Sequence, residues 1–191
     1  MKPTTRCKWV TEDPLYIKYH DTEWGVPVYD DQKLFEFLIL EGAQAGLSWI
    51  TVLKKRDNYR VAFDNFDAKK ISRYTQAKVD KLLLNSGIIR NRLKIHAAIV
   101  NAKAYLEVKK EWGSFANYLW HFLDGKPVKS KFKTHKQIPA KTDISDKMSK
   151  DLKKRGFKFV GSTICYALMQ AVGMVDDHTA DCFLYEKTRS K

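Results

Sequence analysis

Nothing in the 191 residues approaches the roughly 18 to 20 uninterrupted apolar positions that span a bilayer. The opening stretch, MKPTTRCKWVTEDP, also lacks the apolar core of a secretory leader. Cysteine is scarce and odd in number, three in all, which excludes a disulfide framework and fits a reducing compartment. With only nine glycines and five prolines, and no internal repeat, the chain is neither fibrous nor a low-complexity linker. Negative charge is the largest shortage: 22 Asp and Glu face 35 Lys and Arg, leaving +13 and favouring a polyanionic partner such as nucleic acid or an acidic surface. What is abundant is core material, 44% hydrophobic and 13% aromatic, enough for one compact unit or two small lobes sharing a cleft.

Apolar residues recur at spacings of three and four, which predicts an all-α chain. Asp30 or Asp31 can cap a helix carrying Leu34, Phe37, Leu38 and Glu41, and Ser48 can cap one carrying Trp49, Ile50, Val52 and Leu53. Further helices fit Thr75 to Asn85, ended by Ser86-Gly87, and Asn91 to about Leu106; Tyr118, Leu119, Phe122 and Leu123 mark another.

From Lys126 to Lys158 there are twelve Lys and Arg against three Asp, with Pro127 and Pro139 breaking the first half into a loop. A basic helix from Ser145 to Arg155, a tight connection Phe157-Lys158-Phe159-Val160-Gly161 and an apolar helix from Ser162 to Val172 follow, with Ile164, Ala167 and Leu168 expected inward. A glycine-ended hairpin offers backbone N–H groups at a helix N-terminus to a phosphate, and nearby lysines add attraction. An ordinary antiparallel helix pair with a solvated charged face has the same pattern.

Two Cys/His pairs stand at opposite ends: Cys7 with His20, and His178 with Cys182, the latter at i and i+4 on an expected helical face. Such a Cys2His2 set suits a closed structural zinc site, although a Cys-x12-His arm is unusual. Buried thiols and satisfied histidines are the alternative, and spacing leaves both open. Four protein ligands would leave no position for an activated water, so a metal here would be a clamp. Cys165 sits among apolar residues and reads as core.

Glu41 lies on the apolar stripe three and four residues after Leu38 and Phe37, just before Gly42-Ala43-Gln44-Ala45-Gly46. A carboxyl there is hydrogen-bonded, partly exposed, paired with a lysine, or used. Trp9, Tyr16, Tyr19, Trp24 and Trp49 occupy short flanking stretches, and their flat faces suit a planar heterocycle. Aromatic core packing is the competing reading.

Five segments together, CKWV (7–10), DPLYIKYHDTEWGVP (13–27), LEGAQAGLSWITVLKKR (40–56), GIIRNRLKI (87–95) and KKRGFKFVGSTICYALMQAVGMVDDH (153–178), resemble the 3-methyladenine DNA glycosylase I family. They run in one order from near the N-terminus to Cys182, leaving the basic loop near 126–142 and the C-terminal tail outside. The resemblance implies an all-α helix-hairpin-helix glycosylase fold of two helical lobes around a base-binding cleft. One lobe, residues 1–30 with 170–191, would be tied by zinc on Cys7, His20, His178 and Cys182; the other, 31–169, would be a helical core with the hairpin motif near 145–173. It also implies excision of 3-methyladenine from double-stranded alkylated DNA by a bacterial, cytoplasmic monomer.

By the same carry-over Glu41 and Tyr19 contact the extruded base, Trp49 stacks on it, Trp9, Tyr16 and Trp24 complete the pocket, and Leu47 is a wedge into the duplex. Gly161, Ser162 and Lys158 would meet the DNA backbone. Methylation at N3 makes the base cationic and weakens its glycosidic bond and its pairing, so a shaped aromatic pocket with one carboxylate suffices. Thr163 stands where bifunctional relatives carry a lyase lysine, so an abasic site is the expected product. Asp176 falls at the position of the wider superfamily's catalytic aspartate, which this branch does without; catalytic, structural and ligand-partner roles all stay open for it. A noncatalytic DNA-binding module and a broader alkylpurine glycosylase are the competing functions.

Overall fold

The computed structural model describes residues 4–187. Among them the chain forms eleven α-helices: α1 (Pro14–Thr22), α2 (Asp31–Gln44), α3 (Trp49–Leu53), α4 (Arg56–Ala62), α5 (Ala68–Ile71), α6 (Gln76–Leu84), α7 (Arg92–Trp112), α8 (Phe115–Trp120), α9 (Asp143–Lys154), α10 (Ser162–Ala171) and α11 (Leu184–Lys187). Two-residue strands β1 (Val128–Lys129) and β2 (Val175–Asp176) pair in parallel, Val128 opposite Val175. No described helix is long and apolar enough to cross a membrane.

The centre of the molecule is α2. Every residue from Leu34 to Ala43 is buried, so this helix has no solvent stripe and is packed on all sides. Asp30 caps it, accepting a hydrogen bond from the Lys33 N–H at 2.8 Å. Asp31 serves a different helix: its carboxylate accepts the Ala116 N–H in the first turn of α8 and an ion pair from Lys109. The core is one apolar cluster running from Cys7 to Cys182.

Helices expected from the sequence lie where periodicity placed them, with adjusted ends. Asn91 caps α7, which runs past Leu106 to Trp112, and Thr142 caps α9 with Ser145 in a reciprocal capping box. On α10 the buried face is Cys165, Leu168 and Met169, whereas Ile164 and Ala167 are only half-buried. The inward face is thus rotated from the one expected. Helices α1, α4 and α5 were not anticipated, and neither was the β1–β2 pairing within the basic segment.

A second correction concerns the C-terminal pair. His178 and Cys182 are not on a helix, because their backbone groups bond elsewhere. Ala180 N–H donates to the Phe132 carbonyl, Phe183 N–H to the Thr5 carbonyl, and Cys182 N–H to the Thr179 carbonyl in a tight turn. The C-terminal segment is therefore stitched to both the N-terminus and the basic loop. Gly173 permits this closure: at φ +67° it lies so near residues 26 and 27 that a Cβ would sit 2.3 Å from the Val26 carbonyl carbon.

Candidate active site

Glu41 emerges from the last turns of α2 into a cavity of about 190 Å³. Its walls include Trp9, Tyr16, Tyr19, Trp24 and Trp49, so the structure brings the five aromatic residues and the carboxyl group singled out in the sequence to one place. Trp9 is the hub, with ring centroids 4.9 Å from Tyr16 and 5.0 Å from Trp24; Tyr19 lies 5.5 Å from Trp49. Trp49 is backed in turn by the nearly parallel ring of Phe37. Below it Arg56 lies over Phe37 and pairs with Glu36 and Glu23, a buried network that anchors α4 and the end of α1 to α2.

The carboxyl of Glu41 is only 4% exposed, and burial alone pushes its pKa up to about 8. No cation offsets the burial, so the lysine-pair reading fails: the ion pairs of α2 are made by Asp31 and Glu36, and none reaches Glu41. Burial also raises the Tyr16 and Tyr19 hydroxyls, with the Glu41 charge adding to the shift. The indole N–H groups of Trp9 and Trp49 are buried without a partner among the described residues. The cavity is walled largely by flat rings around one buried carboxyl, and is electrostatically receptive to a cation.

Sequence reasoning missed Gln44, His135, Ile138, Ala167, Gln170 and Ala171, which complete the walls. Gln44 stands one turn beyond Glu41 on α2, and Ala167, Gln170 and Ala171 share an i, i+3, i+4 face of α10, so helical spacing carried that much. His135 and Ile138 come from the basic loop, where no periodicity pointed to them.

Leu47 is 41% exposed at the turn after α2, outside the cavity walls. The Lys94 ammonium donates to the Ala43 and Ala45 carbonyls at 2.7 Å each, and its own pKa is lowered by burial. It thereby satisfies carbonyls at the end of α2 just before the Gly46-Leu47 turn. Lys158, Gly161 and Ser162 lie together at the α9–α10 connection. Asn101 bonds the Lys158 backbone, Ser149 donates to the Val160 carbonyl, and the Ser162 and Ser145 hydroxyls are 2.8 Å apart. Phe159 in this connection is left-handed, φ +54°, and packs against Gly42, directly beside Glu41.

Cys7, His20 and Cys182 converge, their ligand atoms all within 4.8 Å of one another. His178 adjoins them, its ring centroid 5.1 Å from that of His20. Each imidazole has its Nδ1 on a carboxylate, His20 on Asp21 at 2.7 Å and His178 on Asp176 at 2.6 Å, which leaves both Nε2 atoms as the available ligand atoms. The Nε2 of His178 is buried and unpartnered. Between the thiols, the Cys182 side chain drives the Cys7 pKa up, while the Cys7 side chain and then His20 hold Cys182 down near 4. A soft, closed donor set of this kind fits zinc. Asp176 belongs to this cluster and is not among the cavity walls.

A family model described as methyladenine glycosylase matches residues 9–185. The chain belongs to the methyladenine glycosylase family. It is 54% identical to the DNA-3-methyladenine glycosylase of Haemophilus influenzae over 94% of this chain and 97% of that one, and 53% identical to DNA-3-methyladenine glycosylase 1 of Escherichia coli over 94% and 96%. Among solved structures, a 3-methyladenine DNA glycosylase I superposes with a TM-score of 0.92 at 55% identity, covering 94% of this chain and 98% of its own. The Staphylococcus aureus 3-methyladenine DNA glycosylase I, solved to explain its recognition of 3-methyladenine, does so at 0.91 and 38%, over 93% and 95%.

Proposed function

We propose that this chain is a monofunctional base-excision repair glycosylase, which hydrolyses the N-glycosidic bond of 3-methyladenine in alkylated double-stranded DNA and leaves an abasic site. The observation that carries this reading is the buried, uncompensated Glu41 carboxyl in an aromatic cavity of about 190 Å³. That volume is below the roughly 300 to 1,000 Å³ of drug-sized ligand sites and suits a single heterocycle. The high identity to named DNA-3-methyladenine glycosylases supports the same substrate.

An N3-methylated adenine is cationic while attached to its sugar. Entering the cavity, it supplies the positive charge that Glu41 lacks and drives the carboxyl to ionise. Trp49 stacks on the ring and Tyr19 contacts it, with Trp9, Tyr16 and Trp24 closing the walls. As the C1′–N9 bond breaks, its electron pair returns to the base and neutralises it, while positive charge moves to the sugar. Water adds to C1′ and its proton is released. Glu41 stabilises the cationic substrate and transition state, and leaving-group protonation is not required. Thr163 is exposed and offers no amine for a Schiff base, consistent with hydrolysis alone.

Leu47 is the wedge that fills the stack when the nucleotide leaves. The α9–α10 pair acts as a helix-hairpin-helix motif, with Lys158, Gly161 and Ser162 against the phosphodiester backbone. A Cβ at Gly161 would meet nothing within 4 Å and its backbone is not left-handed, so close outside approach is what a glycine serves here. Zinc would be held by Cys7, His20, His178 and Cys182, with Asp21 and Asp176 orienting the imidazoles; bound, it supplies a structural crosslink between the ends of the chain. Base release from dimethyl-sulfate-treated DNA tests the function. Free 3-methyladenine is expected from the wild type, and DNA binding with no release at micromolar protein would leave a damage-binding module instead.

A further inference from the structure

Asp177 is fully buried and gathers three donors from two parts of the chain. The Tyr166 hydroxyl and the Gln170 amide nitrogen, both on α10, donate to its Oδ2 at 2.7 and 2.8 Å. Its Oδ1 accepts the Ser130 hydroxyl, just beyond β1, at 2.6 Å. Burial, then the bond to Asp177, raises the Tyr166 pKa, so this hydroxyl stays a donor.

The consequence falls on Gln170, which lines the aromatic cavity between Ala167 and Ala171 and is the only one of the three able to hydrogen-bond through its side chain. A carboxamide is symmetric in shape, and what sets its orientation is its partners. Turning it over would set Oε1 against the Asp177 oxygen, acceptor against acceptor. With Nε2 committed to the carboxylate, Oε1 is the acceptor this side chain has for a ligand.

We propose that Gln170, oriented by Asp177, is a specificity-determining residue that reads the 6-position of the purine, accepting a hydrogen bond from a 6-amino group and rejecting a 6-keto group. This rests on the base-excision reading of the cavity and deepens it. In the bound nucleotide the ring charge makes the amino group a stronger donor. A 6-keto base places a second acceptor against Oε1, and the two lone pairs repel. Asp177 is a positioning residue: it touches no substrate and acts by denying the amide its other orientation.

The free bases 3-methyladenine and 3-methylhypoxanthine differ at this position, amino against keto, and the cavity tryptophans report their binding by fluorescence. Wild type is expected to bind 3-methyladenine at least about tenfold more tightly. Gln170→Leu and Gln170→Met, both checked for unchanged thermal unfolding, lower 3-methyladenine affinity about tenfold and raise that for 3-methylhypoxanthine, because the opposing acceptor is gone. Asp177→Asn, whose amide can donate, lets Gln170 turn over and narrows the preference as well, an effect that lost stability alone would not produce. A folded Gln170 variant that keeps the wild-type ratio, or a wild type with no preference, overturns the assignment while release of 3-methyladenine from alkylated DNA still upholds the function. No release and no binding by the wild type overturns both.

Discussion

Asn101 closes a ring with Lys158: its Oδ1 accepts the Lys158 N–H at 2.7 Å while its Nδ2 donates to the Lys158 carbonyl at 3.0 Å. The side chain thus replaces a strand partner for a segment that is neither helix nor sheet, and fixes the turn between α9 and α10 from within α7. Asn101 is 3% exposed, so removing it breaks both bonds to the Lys158 backbone and leaves a gap under the turn. Asn101→Ala is expected to cost about 2 to 4 kcal/mol in urea unfolding. Its DNA affinity should fall more than its affinity for the free base, because the hairpin and not the cavity is loosened. Equal losses in both would show that the ring supports the whole core.

Glu41 gives the molecule an inverted pH dependence. Unfolded, the carboxyl titrates near the ordinary 4.5; folded, near 8. Below pH 4.5 both states carry the proton. Between 4.5 and 8 the unfolded chain releases it and the folded chain does not, so stability falls across that window and levels off above it. Glu41→Gln removes the penalty. Its melting temperature should match the wild type near pH 4.5 and exceed it by a growing margin up to pH 8, while base release falls by at least about a hundredfold. A variant less stable than wild type at pH 8 would mean that the carboxyl has a stabilising partner.

Periodicity and caps made the larger helices legible: Thr75 and Asn91 each head the helix that the sequence assigns them, and of the two aspartates offered for α2 it is Asp30 that caps it. Glu41 was legible too, because a carboxyl on an apolar stripe requires a physical reason. The short helices α1, α4 and α5 were not: α4 and α5 carry about two turns or fewer, and in α1 the buried positions Tyr16, Tyr19 and His20 form no aliphatic stripe. The face of α10 was misplaced because that helix is apolar nearly all round, and the cavity takes its half-buried side. His135 and Ile138 had no local signature whatever. They reach the cavity from a loop that β1, Ser130 and Phe132 tie to the segment 175–180, a long-range arrangement that no window of sequence displays.

Lys94 should matter to flipping without touching the base. Its ammonium satisfies the Ala43 and Ala45 carbonyls, and the left-handed Gly46 then turns Leu47 outward. Lys94→Met retains the stem and drops the donor, leaving two carbonyls at the end of α2 unpaired. A loss of about 1 to 2 kcal/mol in stability is expected. Single-turnover release from duplex DNA should slow about tenfold, with free 3-methyladenine binding unchanged; an unchanged duplex rate would separate Lys94 from the wedge.

Metal removal should unravel the molecule from its ends inward. Without a cation the cluster holds thiols beside imidazoles, and what then joins the two ends is weak side-chain contact such as Cys182 Sγ to His20 Nε2 at 3.5 Å and backbone bonds such as Phe183 to Thr5. Structural zinc sites contribute on the order of 10 to 16 kcal/mol in model peptides, as much as the net stability of a whole domain. Elemental analysis should therefore find about one zinc per chain, and chelation or Cys7→Ser should lower the melting temperature by more than about 10 °C. The cavity should feel the loss as well, since Asp176 orients His178 and its neighbour Asp177 orients Gln170. Affinity for 3-methyladenine would then fall at temperatures where the protein is still folded. A metal-free preparation with unaltered melting and unaltered base binding would establish that the four side chains are packing and nothing more.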